Sequence, residues 1–395
     1  MWGVGLGSRW VIDRALRAMD AFPVNIGLLG RGSSSNPQSI RESLLAHARG
    51  LKVHEDTGAT LRTIDTALRV ADEADVQVAL HTDGLNETLS VADTIAVVGG
   101  RAIHAFHVEG CGGGHAPDVL RLAGHDNILT SSTNPTLPYG LNAVEEHLDM
   151  IMFCHGMDAE RASDVHIARA RVRAATMAAE SRLHDLGVIH MTSSDAQGMG
   201  RAGETWWRTF ALAGVVAAAD PGRAERSEAD DDNEQILRYL AKITVNPAIV
   251  HEVGRLAPGF LADIALWRPE MFAAKPWRVL KGGFPAWGVT GDPNASIDSA
   301  QPLILAEQFG AIGATPSDLS FLISNSEALA QGPAPMARRA IATSGCRTVR
   351  SRDLVRHSEP GDVRVSPQGD VVTWNGDALT LDPVRKVPLS RLHFW

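Results

Sequence analysis

The sequence predicts an α/β fold: a parallel sheet of the (β/α)-barrel kind over residues 1–253, followed by a β-rich region over 254–395. Three observations carry this reading. Short β-type runs alternate with amphipathic helical stretches from about residue 24 to 195. Lys52, His54, His81, His107 and Asp195 each close a short apolar run, and His54, His81 and His107 are spaced by 27 and 26 residues, the length of one strand-loop-helix unit. Near residue 254 the texture changes to short strands and turns, as in GRLAPGFLADIALW and DVRVSPQGDVVTWNGDALTL.

The expected strands, in order, are NIGLL (25–29), GLKVH (50–54), VQVALH (76–81), AIHAFH (102–107), NILTSS (127–132) and VIHMTS (188–193). Between them SIRESLLAHA, ATLRTIDTALRVADEAD, ETLSVADTIAVVG and NAVEEHLDMIMF place apolar residues at three-and-four spacing, the pattern of helices laid on a sheet. Helical runs continue to about residue 250, broken by PGRAERSEADDDNE, whose Pro, Gly and charges mark an exposed loop. About six strands result, whereas a closed βα barrel needs eight. An open sheet of six leaves two edges that some other segment must cover.

Composition excludes several classes. With 395 residues and 44% hydrophobic content the chain buries a sizeable core and is neither disordered nor fibrous. Lys and Arg number 37 against 46 Asp and Glu, a net charge of -9, which argues against nucleic acid or an anionic membrane as partner. A small neutral substrate suits that charge. Cys111, Cys154 and Cys346 are widely spaced without a CxxC pair, as expected of free thiols in a reducing compartment. No secretory leader and no apolar stretch of roughly 18 residues is present, so a cytoplasmic location is expected.

Imidazoles and a carboxylate with no thiolate cluster suit a divalent ion such as zinc, nickel, iron or manganese. A lysine on the same rim is unusual, since an ammonium repels metals. If burial leaves the Lys52 amine neutral it can add carbon dioxide, and the two oxygens of the resulting carbamate can bridge two ions. Such ions share a water, lower its pKa and polarise a carbonyl. Taken singly, a strand-end histidine is more often a core or loop residue, Lys52 a surface charge, and Asp195 a helix cap. Their common position at strand ends, in chain order, favours one site.

The runs PVNIGLLGRG, GLKVHEDTGAT, HTDGLNET, DTIAVVGGRAIHAFHVEGCGGGHAPD, SSTNPTLPY, EEHLDMIMFCHGMD, HDLGVIHMTSSDAQGMGRAGE and KGGFPAWGVTGDPNAS resemble the catalytic alpha subunit of urease, within the metal-dependent amidohydrolases. The resemblance spans almost the whole chain and matches the C-terminal two thirds of that subunit. It implies a TIM-like (β/α) barrel of the amidohydrolase type, incomplete at its N-terminus because the first two strands are absent, plus a C-terminal β-rich domain. It further implies hydrolysis of urea to ammonia and carbamate with two nickel ions and carbon dioxide as a lysine carbamate. By this resemblance Lys52 is the carbamylated bridging lysine, His81 and His107 bind the first nickel, and Asp195 binds the second. His54 hydrogen-bonds the urea oxygen, Gly198 is a further substrate-binding residue, and His155 is the proton donor on a flap that also carries Cys154. Asp56 and Arg171 orient that histidine, while His115 in the glycine-rich run is structural. Implied partners are urea, the small beta and gamma subunits in a hetero-oligomer, and nickel-loading accessory proteins.

The chain also departs from the family. The His-x-His pair that holds the second nickel has no counterpart before Lys52, where the only histidine, His47, falls in a helical stretch. Thr57 stands where the family has Trp, Gly156 where a second flap His is usual, and Gly198 where Ala is usual. With Lys52 and Asp195 as the remaining ligands, a weakened second site and impaired urea hydrolysis by this chain alone are expected, as for a truncated or split reading frame. Two other readings follow from the same residues. One is a non-catalytic remnant serving as assembly partner, and the other a zinc amidohydrolase acting on a cyclic amide.

Overall fold

The computed structural model describes residues 5–20, 22, 24–54, 57–81, 90–109, 118–196, 200–220, 231–251, 253–290, 299–301 and 319–388. Its centre is a parallel sheet of six strands in sequence order: β1 (Leu29–Arg31), β2 (Gly50–Val53), β3 (Gln77–His81), β4 (Ile103–Phe106), β5 (Ile128–Thr133) and β6 (Met191–Ser193). Helices α1 (Arg9–Met19), α2 (Pro37–Leu45), α3 (Leu61–Ala74) and α4 (Val91–Val98) precede or link the first four strands. Then α5 (Val144–Cys154), α6 (Ala162–Arg171) and α7 (Ala174–Leu186) lie between β5 and β6, with α8 (Thr205–Ala218), α9 (Asn233–Ile243) and α10 (Val245–His251) after it. Among the described residues β1 and β6 do not pair, so the sheet is not closed by them.

Local chemistry sets these elements. In α3, Thr60 caps the N-terminus through its side chain and Asp75 ends the helix in the left-handed region at φ 50. Ile64, Ala67, Leu68 and Ala71 of α3 face the sheet and are buried. All four residues of β2 and all five of β3 are buried, as expected of strands covered on both faces. Full burial of an apolar side chain such as Leu51 or Leu80 contributes roughly 1.5–3 kcal/mol.

The outer edge of β1 is not bare. The Leu6 N–H donates to the Leu29 carbonyl at 3.1 Å and the Arg31 N–H to the Leu6 carbonyl at 3.0 Å, a parallel bridge one residue long. Ser8 then caps α1, which buries Ile12, Ala15 and Leu16. Leu6, α1 and β1 thus form an abbreviated strand-helix-strand unit, upstream of the residues where the sequence patterning begins.

Beyond the parallel sheet lie an antiparallel sheet of β7 (Ile264–Leu266), β8 (Arg278–Lys281), β9 (Phe284–Thr290) and β10 (Ser299–Gln301) and a parallel pair, β11 (Phe321–Asn325) with β12 (Arg339–Thr343). The short helix α11 (Ser326–Gln331) joins that pair, and β13 (Val363–Val365), β14 (Val372–Trp374) and β15 (Asp377–Ala378) form a meander. Leu322, Val363 and Val372 join the same buried cluster as Leu51, Val78 and Ile103. Arg338 donates to the carbonyls of Met19, Asp20, Phe22 and Val24, tying α1 to this region.

Two sequence expectations are corrected. The first strand is Leu29–Arg31, not 25–29, because Ile26 is taken by β11: its N–H donates to Phe321 at 3.0 Å and its carbonyl accepts from Ile323 at 2.7 Å. His47 is not helical. It lies past the end of α2 with φ 72, where its Nδ1 meets the Ser324 hydroxyl at 3.2 Å.

Candidate active site

Parallel register aligns the strands so that one face carries the chemistry. Lys52 lies opposite Ala79, Ala79 opposite His104, and His81 opposite Phe106. Because side chains alternate along a strand, Lys52, His81, His104 and Phe106 point to the same face. His107 follows Phe106 and by alternation would face away. It instead adopts φ 54, a left-handed conformation uncommon for a residue with a Cβ, and its ring stands 4.3 Å from that of His81. Asp195, two residues past β6, has the same kind of backbone, φ 49. Backbone strain of this sort gathers at functional sites.

The rings form a file: His54 to His81 at 4.1 Å, then His81 to His107 at 4.3 Å. Lys52 is buried, with its Nζ 4.0 Å from the centre of the Phe106 ring, which in turn stacks on His104 at 4.2 Å. Burial first, then the charges of His81, Lys52, His107 and His155, push the His54 imidazole down to about 2, so it is neutral at physiological pH. For His107 burial is the largest influence and lowers the pKa. The hydrogen bond and charge of Glu109, with the charge of Asp195, outweigh it and leave the pKa raised.

His155 follows the last turn of α5, and its Nδ1 donates to the Ile151 carbonyl at 2.9 Å, leaving Nε2 as the free ring nitrogen to exchange a proton. Cys154 beside it is an exposed free thiol whose pKa is raised by partial burial and by the Asp195 charge. The electrostatic reach from His155 to His54, and from Asp195 to both His107 and Cys154, brings α5, β2, β4 and β6 to one place. Gly200 closes the Asp195 turn by donating its N–H to the Asp195 carbonyl at 3.0 Å, and a Cβ there would run into the Ser194 carbonyl. Arg171 is fully buried at the end of α6, which packs on α5.

The structure therefore gathers Lys52, His54, His81, His107 and Asp195 with Cys154 and His155. Asp56, Gly198, Cys111 and His115 lie outside the described residues. Among the described residues no three His, Cys, Asp or Glu side chains form a ready-made ion-binding group. Lys52 falls outside those residue types. Sequence reasoning passed over Phe106, Thr133 and Glu109, which line the same region. The carboxylate of Glu109 two residues after His107, in an otherwise apolar and glycine-rich run, was the one available signal.

A parallel sheet with imidazoles, a buried lysine and a carboxylate at its strand ends defines an amidohydrolase-type protein, and residues 6–285 match the amidohydrolase family. The chain is 55% identical to urease subunit alpha 1 of Streptomyces avermitilis and 54% identical to urease subunit alpha 2 of Streptomyces coelicolor, each over 100% of this chain and 71% of the relative. Among solved structures, a zinc-containing N-acyl-D-glutamate deacylase from Bordetella bronchiseptica overlays 71% of this chain and 72% of its own with a TM-score of 0.38 at 15% identity, too loose a likeness to bear on the site. The chain belongs to the urease alpha subunits.

Proposed function

We propose that this chain takes part in nickel-dependent hydrolysis of urea to ammonia and carbamate. The observation that carries the reading is the convergence of His54, His81 and His107 over the buried Lys52 on one rim of the sheet. Lys52 as a carbamate, with His81 and His107, supplies oxygen and nitrogen donors suited to one nickel ion. When bound, that ion supplies polarisation of the urea carbonyl and a lowered pKa for its water.

The remaining roles belong to the chain's own side chains. His54, held neutral, keeps an N–H to donate to the urea oxygen, and Gly198 is read as a further substrate-binding residue. His155 presents Nε2 for proton transfer to the departing amine, with Asp56 and Arg171 orienting it. Cys154 and His155 sit on the segment that excludes water above the site.

The donor set does not fit a second ion equally well. Asp195 and the carbamate's other oxygen are what these residues would offer it, and His47 is engaged with Ser324 through its Nδ1. On this reading the 395-residue chain alone hydrolyses urea poorly. The sheet is read as part of a (β/α) barrel within residues 1–253, with 254–395 as a β-rich companion. By family, the working form is a cytoplasmic hetero-oligomer with beta and gamma subunits and nickel-loading accessory proteins. The test is ammonia release from urea by the purified chain with nickel and bicarbonate, alone and co-expressed with the N-terminal segment of the Streptomyces avermitilis relative. Low release alone and recovery on co-expression support the reading. Rapid release by the chain alone refutes the impairment, and no release in either arm favours the non-catalytic assembly partner. Zinc-dependent turnover of a cyclic amide in place of urea would overturn the substrate.

A further inference from the structure

Glu109 is fully enclosed near the rim, at 0% exposure, and a carboxyl group is rarely so buried without a purpose. One of its oxygens, Oε1, lies 3.2 Å from His107 Nδ1 and 3.0 Å from the Thr133 hydroxyl. Its other oxygen, Oε2, is buried with no hydrogen-bond partner among the described residues. That same Oε1 accepts from the Thr133 hydroxyl, so it is the acceptor in both contacts and the proton in the His107 contact sits on Nδ1 of the imidazole. Thr133 lies 3.4 Å from that same nitrogen and donates its own proton to Glu109, which braces the carboxylate against the ring.

We infer that Glu109 is a positioning residue for His107: it holds the ring in the Nδ1–H tautomer, leaves Nε2 without a proton as the ligating atom, and sets the ring beside His81. The inference rests on the reading of His107 as an ion ligand and adds the group that orients it. The arrangement answers a particular need of this backbone. His107 reaches the site through a left-handed residue just past β4, outside the strand ladder that aligns His81, so its ring needs a side-chain anchor. Carboxylates on the far nitrogen of a ligating histidine typically raise metal affinity by about 10 to 100-fold.

Two measurements on the full 395-residue chain test this. Nitrogen-15 NMR of histidine-labelled protein, with the His107 signals assigned through H107Q, reports the tautomer without any metal. The expected result is Nδ1–H for His107 in the unaltered chain and in E109Q, whose amide oxygen still accepts, and loss of that preference in E109L. Nickel titration in bicarbonate buffer is expected to show affinity about 10 to 100-fold weaker in E109L, with a smaller loss in E109Q. A proton on Nε2 of His107 in the unaltered chain overturns the proposal even if E109L fails to fold. Equal nickel affinity for E109L and the unaltered chain overturns it too. Should the unaltered chain bind no nickel at all, the ion-ligand reading fails, and the tautomer measurement still decides whether Glu109 positions the ring.

Discussion

His104 and His251 share a hydrogen bond, Nδ1 to Nε2, at 2.9 Å. Arg49, which only donates, holds His251 Nδ1 at 2.7 Å, so His251 must donate from Nε2, and His104 accepts and passes its own Nε2–H to the Ser131 hydroxyl at 3.0 Å. Each imidazole in this buried chain is neutral, and an added proton would break it. His104 lies beneath Phe106, which lies beneath Lys52, so the chain is part of the floor of the site.

Acid is therefore expected to unfold the protein earlier than its carboxylates alone would require. Burial pushes His104 and His190 down to about 3, chiefly by desolvation with help from nearby cations, and lowers His251 as well. The unfolded chain binds protons on these residues near pH 6.5 while the folded chain does not. The contribution of His104 and His190 is thus complete above about pH 6.5 and is lost as pH falls toward 3, by about 1.4 kcal/mol per pH unit for each of the two. Guanidinium unfolding at pH 7, 6 and 5 checks this, and an unchanged midpoint across that range would contradict it.

Nickel stoichiometry follows from the donor count. One ion per chain is expected in bicarbonate buffer by elemental analysis, falling to background in H81A and in H107A. Two tightly held ions in the unaltered chain would mean that other groups complete the second site.

Leu51 stands between Gly50 and Lys52 with its side chain fully buried. L51A removes buried methyl groups in a rigid strand and is expected to cost about 2–5 kcal/mol, read as a lower guanidinium midpoint with unchanged slope. A cost near zero would mean that the strand repacks freely, against the full burial of β2.

The Leu6 bridge makes a third prediction of this structural kind. L6P removes the N–H that Leu29 accepts, exposing the edge of β1, and is expected to raise self-association in light scattering relative to the unaltered chain. Identical scattering from both would assign the edge's protection to another segment.

The strands β2 to β6 were legible because each is a short apolar run ending in a polar residue, and three of the expected site residues, His54, His81 and His107, follow the period of the strand-helix unit. Other features were not legible. The displacement of β1 depends on Ile26 pairing with β11, nearly 300 residues away in the chain, a competition that local patterning does not encode. Leu6 and α1 lie in a segment whose single bridging residue offers no strand pattern at all. His47 reads as helical by its neighbours, yet the helix ends two residues earlier at Leu45.

By itself the amino-acid sequence determined the class of sheet and the family, since strand periodicity and specific side-chain chemistry are local properties of the chain. Only the tertiary structure decided that His107 turns through a left-handed residue to meet His81, that Glu109 and Thr133 brace it, and that Phe106 covers Lys52. The physical reason is that alternation along a strand assigns a face only while the ladder lasts. Past its last rung, packing and buried hydrogen bonds between distant residues aim the side chains.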